Sequence, residues 1–197
     1  MRFIAVSLLC MITLVPLMAQ DSVDVYFTYK TTTNPTNVYL PGEFNNWANN
    51  SGGVISPNPL WNMTYDGVNH LWYKTVRLRV GGAPTGGVHG AYQYKINENG
   101  CSSCWSNDPL NQHVNSADNS NSYIYIKDPT IFHLIPNQRN PIVNTSFPTI
   151  TAYIFPKVGS TVDTSSLSVS IDGVLYPGLG TQYNFITSQF AFTPSSP

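Results

Sequence analysis

The sequence has few charged side chains. Asp, Glu, Lys and Arg together make up 10% of the 197 residues, and the formal net charge at pH 7 is -1. Long-range attraction to a phosphate backbone or to an anionic membrane surface requires an excess of positive charge. The composition therefore argues against nucleic acids and membrane surfaces as partners.

Carboxylates are scarce as well, with ten Asp and Glu in all. A glycosidase needs two carboxylates that face each other across a cleft, one of them with a pKa raised by burial. Four carboxylates fall in or beside predicted loops of the first half, without convincing pairing: Glu43, Asp66, Glu98 and Asp108. No Ser lies in a nucleophile elbow with a partnered His. The sequence therefore predicts a non-catalytic chain without a cofactor.

Apolar runs long enough to span a bilayer are also lacking. Residues 1–19 combine a single early cation, Arg2, with an apolar stretch over residues 3–15 and the small residue Ala19. This pattern is typical of a secretory signal peptide and is too short for a membrane span. We expect the mature chain to be soluble and secreted, periplasmic or at the cell surface.

The chain contains three cysteines, and two of them form a CxxC motif, Cys101 to Cys104. Such a pair can be a redox centre, half of a zinc site or a small disulfide. A thioredoxin-type centre would need a helix N-terminus, whereas this motif follows a predicted turn at Asn99-Gly100. Zinc would need two further ligands, and the histidines are scattered. In an exported chain the pattern favours a Cys101–Cys104 disulfide and no metal.

Apolar residues at helical spacing are missing after the leader. Short runs of Val, Ile, Tyr, Phe and Thr instead recur between Gly, Pro and Asn, which predicts an all-β chain. We expect two β-sandwiches in tandem, residues 20–128 and 129–197, with a hinge at Asp128-Pro129. The second is shorter than the roughly 100 residues usual for such a sandwich. It is therefore expected to be incomplete, as a fragment of a longer polypeptide.

Residues 38–47 have a distinctive order of residue types. The first three predict a short buried strand, Pro41-Gly42 predicts the turn that ends it, and Asn45-Asn46 can adopt left-handed or capped backbone. Trp47 then lies on a polar loop, which favours a surface contact over a place in the core. Later in the chain, Asp172-Gly173 between two alternating runs predicts a β-hairpin.

This stretch resembles the signature of the glycogen-binding module of AMP-activated kinase β subunits and of the N-terminal modules of starch-branching and debranching enzymes. The similarity covers roughly residues 23–127, and residues 129–197 resemble the immunoglobulin-like modules of secreted bacterial proteins. The resemblance implies an early-set immunoglobulin-like sandwich followed by a second immunoglobulin-like module. The further matching positions are residues 72–78, residues 92–96, Asn99-Gly100, Trp105, Asp108-Pro109 and Asn121.

The resemblance also implies a shallow carbohydrate-binding groove formed by Trp47, Lys95, Trp105 and Asn121. The two indoles would contact the C–H faces of pyranose rings, and the lysine and the amide would bond sugar hydroxyls. Strand alternation places Lys95 on the face opposite its aromatic neighbours. Where the family has a leucine that braces the bound glucan, this sequence has Ala117, which predicts weaker binding or another preferred chain length.

Each of these side chains also has a purely structural interpretation. Trp47 could fold onto its own loop, Trp105 could be fixed by the neighbouring disulfide, Lys95 could be solvated and Asn121 could be a turn residue. The resemblance implies an α-glucan-binding module, for starch or glycogen, at the N-terminal side of a secreted amylase-type glycoside hydrolase with a downstream catalytic domain. The alternative is a structural or adhesion spacer without a sugar ligand.

Overall fold

The computed structural model describes residues 21–83, 87–141 and 147–195. These residues form antiparallel β-strands joined by turns and three short 3-10 segments, which confirms the predicted all-β fold class. The proposed signal segment, residues 1–19, lies outside the described residues. Within the described ranges, no helix has the length and apolar character needed to cross a membrane.

The first part of the chain forms three antiparallel three-stranded sheets, with orders β1-β4-β3, β2-β6-β7 and β5-β9-β8. Lys95 separates β5 from β6, so one extended segment contributes a strand to each of two sheets. The strands are β1 (Ser22–Tyr29), β2 (Val38–Tyr39), β3 (Thr64–Asp66), β4 (Leu71–Arg79), β5 (Ala91–Tyr94), β6 (Ile96–Glu98), β7 (Trp105–Ser106), β8 (Val114–Asn115) and β9 (Asn121–Tyr125).

The second part forms a four-stranded sheet of order β10-β11-β15-β14 and a separate two-stranded hairpin, β12-β13. The hairpin turn is the predicted one, because Asp172 and Gly173 both have positive φ, 49° and 85°. The strands are β10 (Thr130–Ile135), β11 (Ile150–Phe155), β12 (Val169–Ile171), β13 (Val174–Tyr176), β14 (Tyr183–Asn184) and β15 (Gln189–Phe192).

One strand of the second part is shorter than its sequence predicts. Residues 183–186 alternate in a way that favours a strand, yet β14 ends at Asn184. Asn184 Oδ1 accepts hydrogen bonds from the backbone N–H groups of Ile186 and Thr187, which closes a turn there. Ile186 is consequently 95% exposed.

One buried apolar cluster contains side chains of both parts. Strand alternation in β1 directs Val23, Val25 and Phe27 into this core. Phe132 of β10 and Phe155 of β11 belong to the same buried cluster, and the Phe132 ring lies 5.4 Å from that of Phe27. Burying each large apolar side chain contributes about 1.5–3 kcal/mol. Apolar packing therefore holds the second part against the first.

A buried polar network crosses the same junction. Asp108 Oδ2 accepts a hydrogen bond from the Tyr94 hydroxyl at 2.7 Å and lies 2.7 Å from Nε2 of His133 in β10. Asn111 Nδ2 donates to the Tyr94 hydroxyl at 2.9 Å. Arg139 Nη1 donates to the backbone oxygens of Asp108 and Asn111, at 2.9 and 2.6 Å. Asp108-Pro109 starts a loop, as the sequence pattern indicated, and Asp108 within it is only 1% exposed.

A smaller apolar cluster lies on the other side of β2. It consists of Tyr39, Ala48, Ile55 and Trp61, and Trp105 packs against it while partly exposed. Trp61 is 6% exposed, and its indole N–H donates to the backbone oxygen of Ser56 at 2.8 Å. Trp61 therefore belongs to the support beneath the 47–53 loop.

Candidate functional site

The structure brings together the four side chains that the sequence analysis singled out. Trp47, Lys95, Trp105 and Asn121 line one open groove of about 640 Å³. Trp47 comes from the 3-10 segment Glu43–Asn49, Trp105 from β7 and Asn121 from the start of β9. Lys95 lies at the break between β5 and β6. The remaining lining consists of Asn50, Gly53, Ser102, Asp118 and Asn119.

Trp47 is carried by a left-handed turn. Residues 46–49 all have positive φ, between 47° and 57°. This conformation costs roughly 1–2 kcal/mol per non-glycine residue, and asparagine tolerates it better than tryptophan or alanine. Asn46 adopts it as its residue type predicts, but Trp47 and Ala48 adopt it against their preference. Backbone strain of this kind persists only where the surroundings enforce it.

Hydrogen bonds of the Asn45 side chain stabilise this left-handed turn. Its Oδ1 accepts hydrogen bonds from the backbone N–H groups of Gly42 and Ala48, both at 3.0 Å. Its Nδ2 donates to the backbone oxygen of Leu40 at 2.8 Å. Ala48 is 1% exposed and anchors the turn in the small cluster beneath the groove. Together these contacts hold the Trp47 indole at the groove, half-buried.

Trp105 is held by both polar and apolar contacts. It pairs with Asn97 between β7 and β6, and its indole N–H donates to the backbone oxygen of Gly53 at 2.7 Å. Part of the ring packs against the cluster that contains Trp61. The indole is therefore oriented in advance, with its remaining surface in the groove lining.

Lys95 and Asn121 supply polar groups between the indoles. Lys95 Nζ donates to the backbone oxygen of Asn119 at 2.8 Å. Burial lowers the pKa of Lys95, and the nearby Asp118 carboxylate partly offsets this. Asn121 is 4% exposed and belongs to the groove lining. Its side-chain amide can both donate to and accept from a ligand hydroxyl.

The CxxC motif lies beside the groove and contributes Ser102 to its lining. Cys101 and Cys104 are joined by a disulfide with a Cα–Cα distance of 5.2 Å, and the backbone N–H of Cys104 donates to the oxygen of Cys101. The enclosed Ser102 lines the groove, and Trp105 follows directly. Gly100, with φ of 74°, leaves no room for a Cβ, which would lie 2.5 Å from the backbone oxygen of Ile55. The disulfide loop thus lies tightly against the neighbouring loop.

The four carboxylates considered from the sequence are all engaged within the fold. Glu43 accepts a hydrogen bond from the backbone N–H of Gln93, and Asp66 accepts from backbone N–H groups of its own turn. Glu98 accepts from three hydroxyl groups, and Asp108 belongs to the buried network. Over the described residues, no group of three or more His, Cys, Asp and Glu side chains is suited to hold a metal ion.

Several groove residues were not identified from the sequence. Asp118 and Asn119 belong to the polar tract before β9, whose composition indicated only a loop. Asn119 has φ of 50° and offers its backbone oxygen to Lys95. Ala117, which replaces the leucine of the resembled family, is exposed and is not part of the lining. Only the run of turn-forming residues could have signalled that this loop reaches the groove.

A comparison of the chain with known protein-family models finds no matching family. A comparison with curated protein sequences likewise finds no match. The groove and its residue chemistry are therefore the basis for a functional conclusion.

Proposed function

We propose that this chain is a non-catalytic module that binds a neutral α-glucan, such as starch or glycogen, in the groove between Trp47 and Trp105. The observation that carries the proposal is that two half-buried indoles, a lysine and an asparagine amide line one open groove. The specific choice of an α-glucan rests on the family resemblance of residues 23–127.

The chemistry of the groove suits a sugar chain. A pyranose ring has C–H groups on its faces and hydroxyls at its edge, so it matches an aromatic plane flanked by hydrogen-bonding groups. Each indole contributes about 1 kcal/mol beyond ordinary apolar burial. Lys95 donates to hydroxyl oxygens, and Asn121 both donates and accepts. For so open a site we expect dissociation constants in the millimolar to micromolar range, about 4 to 8 kcal/mol.

We further propose that the module belongs to a secreted amylase-type glycoside hydrolase. Exported location is supported by the leader-like pattern of residues 1–19 and by the Cys101–Cys104 disulfide, a bond typical of oxidising compartments. A downstream catalytic domain as partner is supported by the resemblance alone.

The competing function is a structural or adhesion spacer. One observation favours it, namely that the Trp105 indole already bonds Gly53 and packs against the small cluster, as an edge-covering residue would. The two functions differ in one property, because only the binding module responds to a sugar.

Titration of the folded chain with maltoheptaose, followed by tryptophan fluorescence, tests the proposal. We expect a saturable change with a dissociation constant between about 1 µM and 1 mM, because a sugar on an indole alters its environment. Cellohexaose, whose β-linked chain is straighter, is the matched control and should bind more weakly. A signal that stays flat up to about 10 mM maltoheptaose would favour the spacer.

Reduction of the disulfide is expected to weaken maltoheptaose binding several-fold while the chain stays folded. The bond closes a loop with only two residues between its cysteines, so its chain-entropy contribution is small, about 2 kcal/mol. The same loop carries Ser102 and leads into Trp105, so its loosening displaces the groove wall. Titrations with and without dithiothreitol, each with a thermal unfolding curve, measure both effects. Equal affinities in the two conditions would contradict the prediction.

A further inference from the structure

A second cleft lies on a different face of the first part. It has a volume of about 590 Å³ and shares no lining residue with the Trp47–Trp105 groove. One side is formed by the β3-β4 pair and the other by the segment that follows β1, residues 30–36. The two clefts are therefore separate surfaces of comparable size.

Two aromatic rings form one side of this cleft. Tyr65 and Trp72 are directly paired across β3 and β4, and their ring centroids are 5.2 Å apart. Tyr65 is 50% exposed, whereas part of Trp72 packs against the main core. The Tyr65 hydroxyl lies 3.2 Å from Nδ1 of His70, which also lines the cleft. Because Tyr65 and Trp72 already pack on each other, a ligand that contacts these rings would cost little side-chain conformational entropy.

The opposite side of the cleft is polar, and hydrogen bonds to Glu98 and Asn99 hold it in place. The hydroxyls of Thr31 and Thr33 donate to the Glu98 carboxylate, and the backbone N–H of Thr36 donates to Asn99 Oδ1 at 2.8 Å. Once it donates to Glu98, the Thr33 hydroxyl still has acceptor capacity, whereas the Thr31 oxygen already accepts the backbone N–H of Thr33 at 3.0 Å. The carboxylate itself is engaged by hydroxyls, so the polar wall presents mainly neutral groups.

Lys30 and Asn34 complete the polar side, and both are exposed. The second cleft resembles the groove in composition, because each contains two large aromatic side chains, one lysine and at least one asparagine. Donors come from the lysine and the amide, and acceptors from the amide and Thr33. A hydroxyl-rich ligand needs both kinds of partner beside an aromatic plane.

We propose that the Tyr65–Trp72 cleft is a second binding site for a neutral sugar chain, separate from the Trp47–Trp105 groove. The ligand class assigned to it rests on the proposed function of the groove. Two weak sites on one module bind a long polysaccharide more tightly than either site alone, because the second contact is made at high effective concentration.

A heteronuclear NMR titration with maltoheptaose reports the two sites independently. The indole N–H signals of Trp47 and Trp72, assigned from single substitutions, report the groove and the cleft. We expect both signals to shift with saturation, together with backbone amides of residues 31–36. Tyr65→Ala should raise the dissociation constant read at Trp72 about two- to tenfold and leave that read at Trp47 unchanged. Val68→Ala, at an 87% exposed position of the same turn, is the matched control and should change neither.

Each outcome separates the two proposals. A shift at Trp47 with no response at Trp72 or residues 31–36 would overturn the second site and leave the groove proposal standing. A response at Trp72 alone would support the second site and overturn the groove. The absence of a shift at both indoles would overturn both proposals. A Tyr65→Ala variant with unchanged affinity at Trp72 would overturn the second site.

Discussion

Replacing Asp108 with alanine is expected to lower the free energy of unfolding by about 3–5 kcal/mol. The carboxylate is buried and accepts the Tyr94 hydroxyl, and the His133 imidazole lies 2.7 Å away. Its removal leaves both groups in the core without their acceptor, and unpaired buried polar groups carry their full desolvation cost. Urea denaturation followed by circular dichroism measures the loss as a lower midpoint.

The matched control is Asp24→Ala. Asp24 pairs with Arg77 at 2.8 Å, but both side chains are largely exposed. Exposed ion pairs contribute at most about 1 kcal/mol, so this variant should unfold close to the wild-type midpoint. If Asp108→Ala lowers the free energy of unfolding as little as Asp24→Ala does, the buried network does not stabilise the junction.

Because of the same network, we expect the free energy of unfolding to depend on pH in the acidic range. Although burial opposes its charged form, the interactions with His133 and Tyr94 hold the pKa of Asp108 below its ordinary value. A carboxyl with a depressed folded-state pKa contributes stability above its unfolded pKa of about 4 and loses it as pH falls through the folded value. We expect wild-type stability to fall below about pH 4, and Asp108→Ala to lack this part of the pH dependence.

The double variant Trp47→Ala/Trp105→Ala is expected to reduce maltoheptaose affinity at the groove at least about tenfold, because two stacking surfaces of about 1 kcal/mol each are removed together. Isothermal titration calorimetry measures the loss. Since Trp105 also bonds Gly53 and packs on the small cluster, the double variant should melt at a lower temperature, so binding must be compared well below that midpoint.

Phe185→Ala is a suitable control for the double variant. Phe185 is an aromatic residue of the second part, 61% exposed and absent from the groove lining, so its removal should leave affinity unchanged. A folded double variant that binds maltoheptaose like the wild type would contradict the proposed function of the groove.

Local chemistry predicted much of the fold. The Asp172-Gly173 turn follows from positive φ at both positions, and the alternation around Lys95 places Tyr92, Tyr94 and Ile96 in the core. These features depend on neighbours in the sequence, so residue types suffice to predict them. The carbohydrate function remains a prediction, although the groove does gather its four residues.

Features that depend on distant partners were not predictable. Asp108 begins a loop, as its residue type predicts, but its burial was not predictable because its partner His133 lies 25 residues further along, in the second part. The left-handed turn at Trp47 and Ala48 contradicts their residue preferences, and only the hydrogen bonds of Asn45 and the burial of Ala48 account for it. Trp61 belongs to the small buried cluster with Tyr39, Ala48 and Ile55, and its neighbours in the sequence do not indicate this position.

The shared core has a consequence for chain engineering. A chimera that keeps residues 21–128 and grafts them onto another protein would lose Phe132, Phe155 and His133 at once. The grafted piece would expose to water an aromatic face and a carboxylate that has lost its His133 partner, and we expect it to self-associate. A fragment used in such a chimera must therefore include β10 and β11, or its exposed apolar face must be replaced with polar side chains.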